Sequence, residues 1–160
     1  MAWTTVARLS RGVLPLFLLA SFLLACSAGD AGSETVTLRF VGAEDVRLTV
    51  EVADTPAELA RGLAGRDRLA PDAGMLFVIE RRGRGFWMKD VAFPLAVAFI
   101  GECGEIVAIA DMEPHSLQLH DTVRPYRFGL EVNRGWFAAH AVAVGDVVTV
   151  PEQLRRPGCP

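Results

Sequence analysis

The chain has 160 residues, enough for one domain and hardly for two, and 51% of them are hydrophobic while 22% are charged. This composition can fill a core and excludes a disordered chain. The formal net charge of -3 gives no sign of a nucleic-acid-binding domain, so no nucleic-acid partner is expected.

Residues 1–25 have the pattern of a signal peptide. Two arginines precede an apolar stretch at residues 13–25, which is shorter than the roughly 20 residues of a membrane-spanning helix. The stretch ends in Leu23-Leu24-Ala25-Cys26, which resembles a bacterial lipobox, so Cys26 is the expected lipidation site. Small polar residues at 26–33 then predict a flexible tether.

This leader predicts an exported protein whose lipid anchors it to a membrane of the cell envelope. Because Ser27 rather than aspartate follows the cysteine, the periplasmic face of the outer membrane is the expected location in a Gram-negative cell. An ordinary cleaved signal peptide and an uncleaved anchor are the alternatives.

The remaining chain has the pattern of many short strands. Alternating or continuous apolar segments predict strands at residues 35–41, 46–52, 75–79, 86–89, 95–100, 105–110, 126–132 and 146–150. Asp54 or Thr55 can cap a helix that begins at Pro56, runs to about Leu63 and ends at Gly65. A second helix of one or two turns is predicted at residues 136–140.

These elements predict a compact, mainly β domain at residues 34–151. We expect a β-sandwich or barrel of about eight to nine short strands with one or two short helices. A proline-rich tail follows at residues 152–160. Export also permits a disulfide between Cys103 and Cys159, with two unrelated thiols as the alternative.

Five segments in order resemble the DUF192 family, and the similarity covers about residues 46–150. The segments are Arg61-Gly62-Leu63, Gly74-Met75-Leu76-Phe77-Val78, Phe86-Trp87-Met88-Lys89-Asp90, Pro94-Leu95 and Leu130-Glu131-Val132-Asn133 with Gly135. The family is named for its unknown function, so the resemblance implies a compact, mainly β domain, often exported in bacteria, and no mechanism. Asp90 follows the family pattern, whereas Ala96 stands where the family usually has aspartate.

The candidate ligand-binding residues are Trp87, Lys89, Asp90, Glu131 and Asn133. Trp87 and Lys89 would share one face of a predicted strand, where they could line a pocket for an anion or a carbonyl group. Lys89 could pair with Glu131, the acid inside an otherwise apolar strand, and Asn133 shares the strand face of Glu131. The alternative is a structural ion pair, with Trp87 packed in the core.

Binding of a small ligand or an envelope component is therefore the expected function, by a protein that is expected to be a monomer. One alternative is an envelope enzyme in which Lys89 and Glu131 act as acid–base groups. The other is a structural or assembly accessory protein. The sequence shows no nucleophile motif of a hydrolase.

No metal or other cofactor is expected. Met112, His115 and His120, with Met75 or Met88, could form a soft metal site, but their spacing matches no strong pattern. A basic cluster is formed by Arg81, Arg82 and Arg84. It predicts a solvated turn, with contact to anionic lipid or glycan as the alternative.

Overall fold

The computed structural model describes residues 34–41, 46–79, 85–155 and 157–159, together with Met1. The predicted signal peptide beyond Met1, Cys26 and the tether at residues 26–33 lie outside the described residues. The basic cluster of Arg81, Arg82 and Arg84 lies outside them too. Within the described ranges, no helix has the length and apolar character needed to cross a membrane.

Seven strands in one curled sheet make up the described part of the chain. They are β1 (Thr35–Val41), β2 (Arg47–Ala53), β3 (Ala73–Val78), β4 (Leu95–Ile100), β5 (Ile106–Met112), β6 (Phe128–Asn133) and β7 (Val147–Thr149). Two short helices, α1 (Pro56–Arg61) and α2 (Trp136–Ala139), and a 3-10 turn at Glu152–Leu154 accompany them. The predicted mainly β barrel or sandwich with short helices is confirmed.

The strand order is β5-β4-β6-β3-β2-β1-β7. All neighbouring strands are antiparallel except β2 and β3, which are joined by α1 and run parallel. The end strands of the sheet also meet, because Ile106 N–H donates to Asp146 O and Val148 N–H donates to Gly104 O, each at 2.8 Å. The sheet is therefore a half-barrel whose two edges touch at this point.

Each face of the sheet carries its own core, since successive strand residues point to opposite faces. The first core gathers one face of the strands with α2, and includes Leu38, Leu76, Leu130 and Val148. The second core covers the other face and includes Phe77, Val97, Phe99, Leu63, Phe86 and Met88. The connections after β2 and β3 supply the last three of these residues, so they form a second layer on the sheet.

Two local predictions are wrong. Residues 86–89 form no strand, because only Phe86 makes a bridge, to His120, before the chain turns at Lys89 and Asp90. The first helix ends at Arg61 rather than near Leu63, because Gly62, with a φ of 50°, follows as its C-cap. Gly65, the predicted terminator, instead lies at the end of the following turn.

The sulfur atoms of Cys103 and Cys159 are bonded in the structure, with 5.1 Å between the two Cα atoms. The bond connects the C-terminal tail to the turn between β4 and β5. That turn is also the place where the edges of the half-barrel meet, so the disulfide lies beside the closure.

Candidate functional site

A cavity of about 340 Å³ lies against the second core, between α1 with its following turn and residues 85–91. It is lined by Leu59, Ala60, Arg61, Gly62, Leu63, Ala64, Phe77, Ile79, Gly85, Phe86, Trp87, Lys89, Asp90, Val91 and Glu131. A concave site that combines apolar walls with a few converging polar groups is the usual form of a small-molecule site.

The helical wall of the cavity is held in place by local hydrogen bonds. The Thr55 hydroxyl accepts from Glu58 N–H at 3.3 Å, and the Glu58 carboxylate accepts from Thr55 N–H at 3.1 Å, which is a capping box at the start of α1. Beyond the helix, Arg66 donates to the Glu51 carboxylate of β2 with two guanidinium nitrogens, one of them at 2.7 Å. The capping box thus fixes the start of the helix locally, and the Arg66–Glu51 contact fastens the far end of the wall to the sheet.

The opposite wall, residues 85–91, is held by the loop that follows β5. Phe86 and His120 exchange two backbone hydrogen bonds of 2.8 Å, and Met88 N–H donates to Ser116 O at 2.9 Å. This pairing directs Phe86 and Met88 into the second core and leaves Trp87 exposed. Lys89 lies on the exposed side as well.

A glycine in the sheet makes room for one of the aromatic walls. Phe86 lies over Gly129 of β6, where an added Cβ would be 2.1 Å from its Cζ. The Phe86 ring meets Phe77 edge to face, with the centroids 5.2 Å apart, and Phe99 at 5.7 Å. This aromatic cluster fixes the shape of the inner part of the cavity.

Glu131 provides the one buried charged side chain among the described residues, with 5% of its surface exposed. It lies in β6 opposite Met75 of β3 and Val97 of β4, so its neighbours in the sheet are apolar. Within the described ranges, no hydrogen bond or ion pair reaches its carboxyl group. Burial alone raises the pKa of Glu131 from 4.5 to about 8, so the carboxyl is mostly protonated at neutral pH.

The opening of the cavity carries an aromatic ring and charges of both signs. Trp87 is 49% exposed, and the Lys89 ammonium lies 5.8 Å from its ring centroid, within the range of a cation–π contact. Lys89 is the only lysine in the sequence. Asp90 has a φ of 60°, a conformation that aspartate tolerates better than most residues, and its carbonyl accepts from Gly65 N–H at 2.9 Å. That bond joins the two walls of the cavity.

Four of the five predicted ligand-binding residues line this cavity: Trp87, Lys89, Asp90 and Glu131. Asn133 does not; its side-chain amide donates to the carbonyls of Leu69 and Ala70 at 3.3 and 2.9 Å and holds the loop before β3. The predicted pair of Lys89 and Glu131 is not formed. Trp87 is exposed at the opening, which overturns the alternative that placed it in the core.

Two other predicted features lie elsewhere. Ala96 packs in the first core, on the sheet face opposite to Glu131, so a carboxylate at that position would not enter the cavity. Met75, Met88 and Met112 are buried in the second core. The described residues contain no group of three or more His, Cys, Asp or Glu side chains that could hold a metal ion.

The sequence reasoning missed part of the lining. It named neither Phe77 nor Phe86 as a site residue, although both belong to segments that carry the family resemblance. Four of those five segments contribute to the lining, through Arg61, Phe77, Phe86 and Glu131 among others. The signal that could have found the inner wall was the glycine at 129, because a glycine inside a strand often marks the close approach of another group.

Comparison with known families gives one match over most of the domain. The model of the DUF192 family, described as Uncharacterized ACR, matches residues 38–150. None of the curated proteins matches the chain.

Two solved structures have the same fold. A protein from Sinorhizobium meliloti 1021, provisionally described as a transcription regulator, is 33% identical with a TM-score of 0.70, over 75% of this chain and 96% of that one. A protein of unknown function from Novosphingobium aromaticivorans is 28% identical with a TM-score of 0.68, over 76% of this chain and 89% of that one. Both likenesses therefore span the β domain of this chain.

Proposed function

The chain belongs to the DUF192 family, whose name assigns no activity, and we propose that the protein binds a small molecule in its cavity. The ligand would lie between α1 and residues 85–91. Trp87, Lys89, Asp90 and Glu131 are the polar and aromatic groups that would contact the ligand. In this proposal the domain acts as a monomer.

The observation that carries the proposal is the unpartnered carboxyl of Glu131. The side chain is 5% exposed, lines the cavity and has no protein hydrogen-bond partner among the described residues, so its burial disfavours the ionised form. The group lines a cavity with room for a small molecule. A ligand with a matching polar group would give the carboxyl a partner, which a purely structural role of Glu131 does not.

The cell envelope is the proposed location. The support comes from the sequence alone: the pattern of residues 1–25, the lipobox-like end at Cys26 and the tether up to residue 33. Two or more acyl chains hold a protein firmly at a membrane surface. The proposed protein is thus a lipid-anchored binding domain that meets its ligand, a small molecule or an envelope component, outside the cytoplasm.

Mass spectra of the protein extracted from envelope membranes test the proposal. We expect a mass excess under native conditions that disappears on denaturation, because the cavity keeps its ligand only while it is folded. A bulky residue at the opening, Ala60→Trp, should remove the excess. Ala57→Trp is the matched control, since Ala57 is an exposed residue of the same helix that does not line the cavity. Equal native and denatured masses in all three proteins would contradict a retained ligand.

A further inference from the structure

We infer that the ligand of the cavity is a small organic ammonium ion, a primary amine on an apolar body, held by the Glu131 carboxylate and the neighbouring aromatic rings. The inference rests on the proposed function and adds the chemical class of the ligand. Two features of the cavity support it: the acid without a protein partner among the described residues and the aromatic walls.

The acid at the inner end favours a cation over other ligands. A wholly apolar ligand would cover the Glu131 carboxyl without giving it a partner, which costs about 1–3 kcal/mol. An anionic group would be repelled by the ionised carboxyl and would bind beside its protonated form alone. An ammonium group donates charge-assisted hydrogen bonds to the ionised carboxylate and neutralises it, which is a stronger contact than the hydrogen bond that the protonated acid makes to an alcohol or a carboxylate.

The aromatic side chains favour the same class. Phe77 and Phe86 lie on the inner wall and Trp87 lies at the opening. The face of an aromatic ring attracts a cation, and aromatic residues recur where proteins recognise alkylammonium groups. The Lys89 ammonium already lies 5.8 Å from the Trp87 centroid, so one ring of the cavity is in contact with a group of this chemistry.

The other charged groups around Glu131 set the limits of this attraction. Arg61, Lys89 and Asp90 line the same cavity, and they lie on its exposed side. Across the sheet, Glu51 of β2 is in register with Met75 and thus in the same row as Glu131, but Arg66 binds its carboxylate. A cationic ligand therefore competes with Lys89 for the Trp87 ring and is repelled by the Lys89 charge, a repulsion that solvent and salt weaken.

Binding of an amine should release a proton from the protein. Because burial raises the pKa of Glu131 to about 8, the free cavity holds a protonated acid at neutral pH. Formation of the ion pair requires its ionised form. The affinity for an amine should thus rise by about tenfold per pH unit up to about pH 8, and close to one proton should be released per ligand below that pH.

Three probes of the same shape test the inference: benzylamine, benzyl alcohol and benzoate. Amide NMR shifts of the purified protein locate the binding, and calorimetry in two buffers of different ionisation enthalpy counts the protons. We expect benzylamine to bind in the cavity at least about tenfold more tightly than the other two, with proton release. Glu131→Gln should lose this preference, and Glu34→Gln, an exposed carboxyl at the start of β1, should keep it.

Lys89→Met provides a second variant at an exposed position. It should raise the affinity for benzylamine a few-fold, because it removes a competing charge, whereas a site for anions would lose benzoate binding. Preference for benzoate or benzyl alcohol in the cavity, without proton release, would overturn the inference and leave the proposed function standing. Shifts from none of the three probes would overturn the inference as well, and the native mass spectra then decide the proposed function.

Discussion

Lys89 and Glu131 line the same cavity but form no ion pair. The ammonium of Lys89 lies over Trp87 at the opening, while the carboxyl of Glu131 is buried among apolar side chains. The exposed cation is solvated, and the acid at the inner end is left for another partner. This separation is the physical basis of the binding function proposed for the cavity.

The stability of the protein should fall as the pH rises from 4.5 to about 8. Burial raises the folded-state pKa of Glu131 from 4.5 to about 8, so in this window the folded protein retains a proton that the unfolded chain has released. The contribution of Glu131 to the free energy of unfolding is fully present below pH 4.5. It falls by ~1.4 kcal/mol per pH unit as the pH rises from 4.5 to about 8. Urea unfolding across this range measures the slope.

Glu131→Gln should remove that contribution, since the amide does not titrate. Glu34→Gln should keep the wild-type slope, because Glu34 is exposed at the start of β1. Identical slopes for wild type and Glu131→Gln would show that the carboxyl is not desolvated in the folded protein.

Gly129→Ala should destabilise the fold and change the inner wall of the cavity. The new methyl group would lie 2.1 Å from Cζ of Phe86, which has no free space because it packs against Phe77 and Phe99. Overpacking of this kind costs about 1–3 kcal/mol. Gly101→Ala is the control, since its methyl group would meet nothing closer than 3.6 Å. Equal free energies of unfolding for the two variants would contradict the packing of Phe86 on Gly129.

Reduction of the Cys103–Cys159 bond should lower the free energy of unfolding by about 2–4 kcal/mol, as expected for a closed loop of this length. The two cysteines are 56 residues apart in the sequence, so the bond removes much freedom from the unfolded chain. Urea unfolding with and without a reducing agent measures the effect. The double variant Cys103→Ser with Cys159→Ser should be insensitive to the reducing agent. An unchanged midpoint for the reduced wild type would contradict the prediction.

The proposed lipid anchor predicts incorporation of a clickable fatty acid into the protein in cells that export it. The wild type should be labelled, because Cys26 ends a lipobox-like sequence. Cys26→Ala should lose the label, and Cys103→Ser should retain it. Equal labelling of the wild type and Cys26→Ala would exclude lipidation at this cysteine.

The elements that depend on local chemistry could be predicted from the sequence. The alternation at residues 35–41 and 46–52 predicts the β1–β2 hairpin, and Thr55 followed by Pro56 predicts the start of α1. Residues 86–89 show the limit of this approach. Their alternation is real, since Phe86 and Met88 are buried, but too few backbone bonds join them to a neighbour for a strand.

The candidate site could be predicted in part. Glu131 stands out as an acid in an apolar strand, and Trp87 with Lys89 stands out beside it. Their separation depends on how the 85–91 segment lies on the sheet, which long-range contacts with Ser116 and His120 decide. Asn133 lies on the same strand face as Glu131, but its side-chain amide donates hydrogen bonds to the backbone carbonyls of Leu69 and Ala70. No pattern in the sequence reports such distant partners.

An NMR screen of the protein with a library of small polar and amphipathic molecules tests the central claim most directly. The cavity predicts that hits shift the amide signals of residues 59–64, 85–91 and 131 together. These shifts should persist in Ala57→Trp and disappear in Ala60→Trp, which closes the opening. Hits that cluster elsewhere on the domain, or that bind equally to the two variants, would contradict a binding function for this cavity.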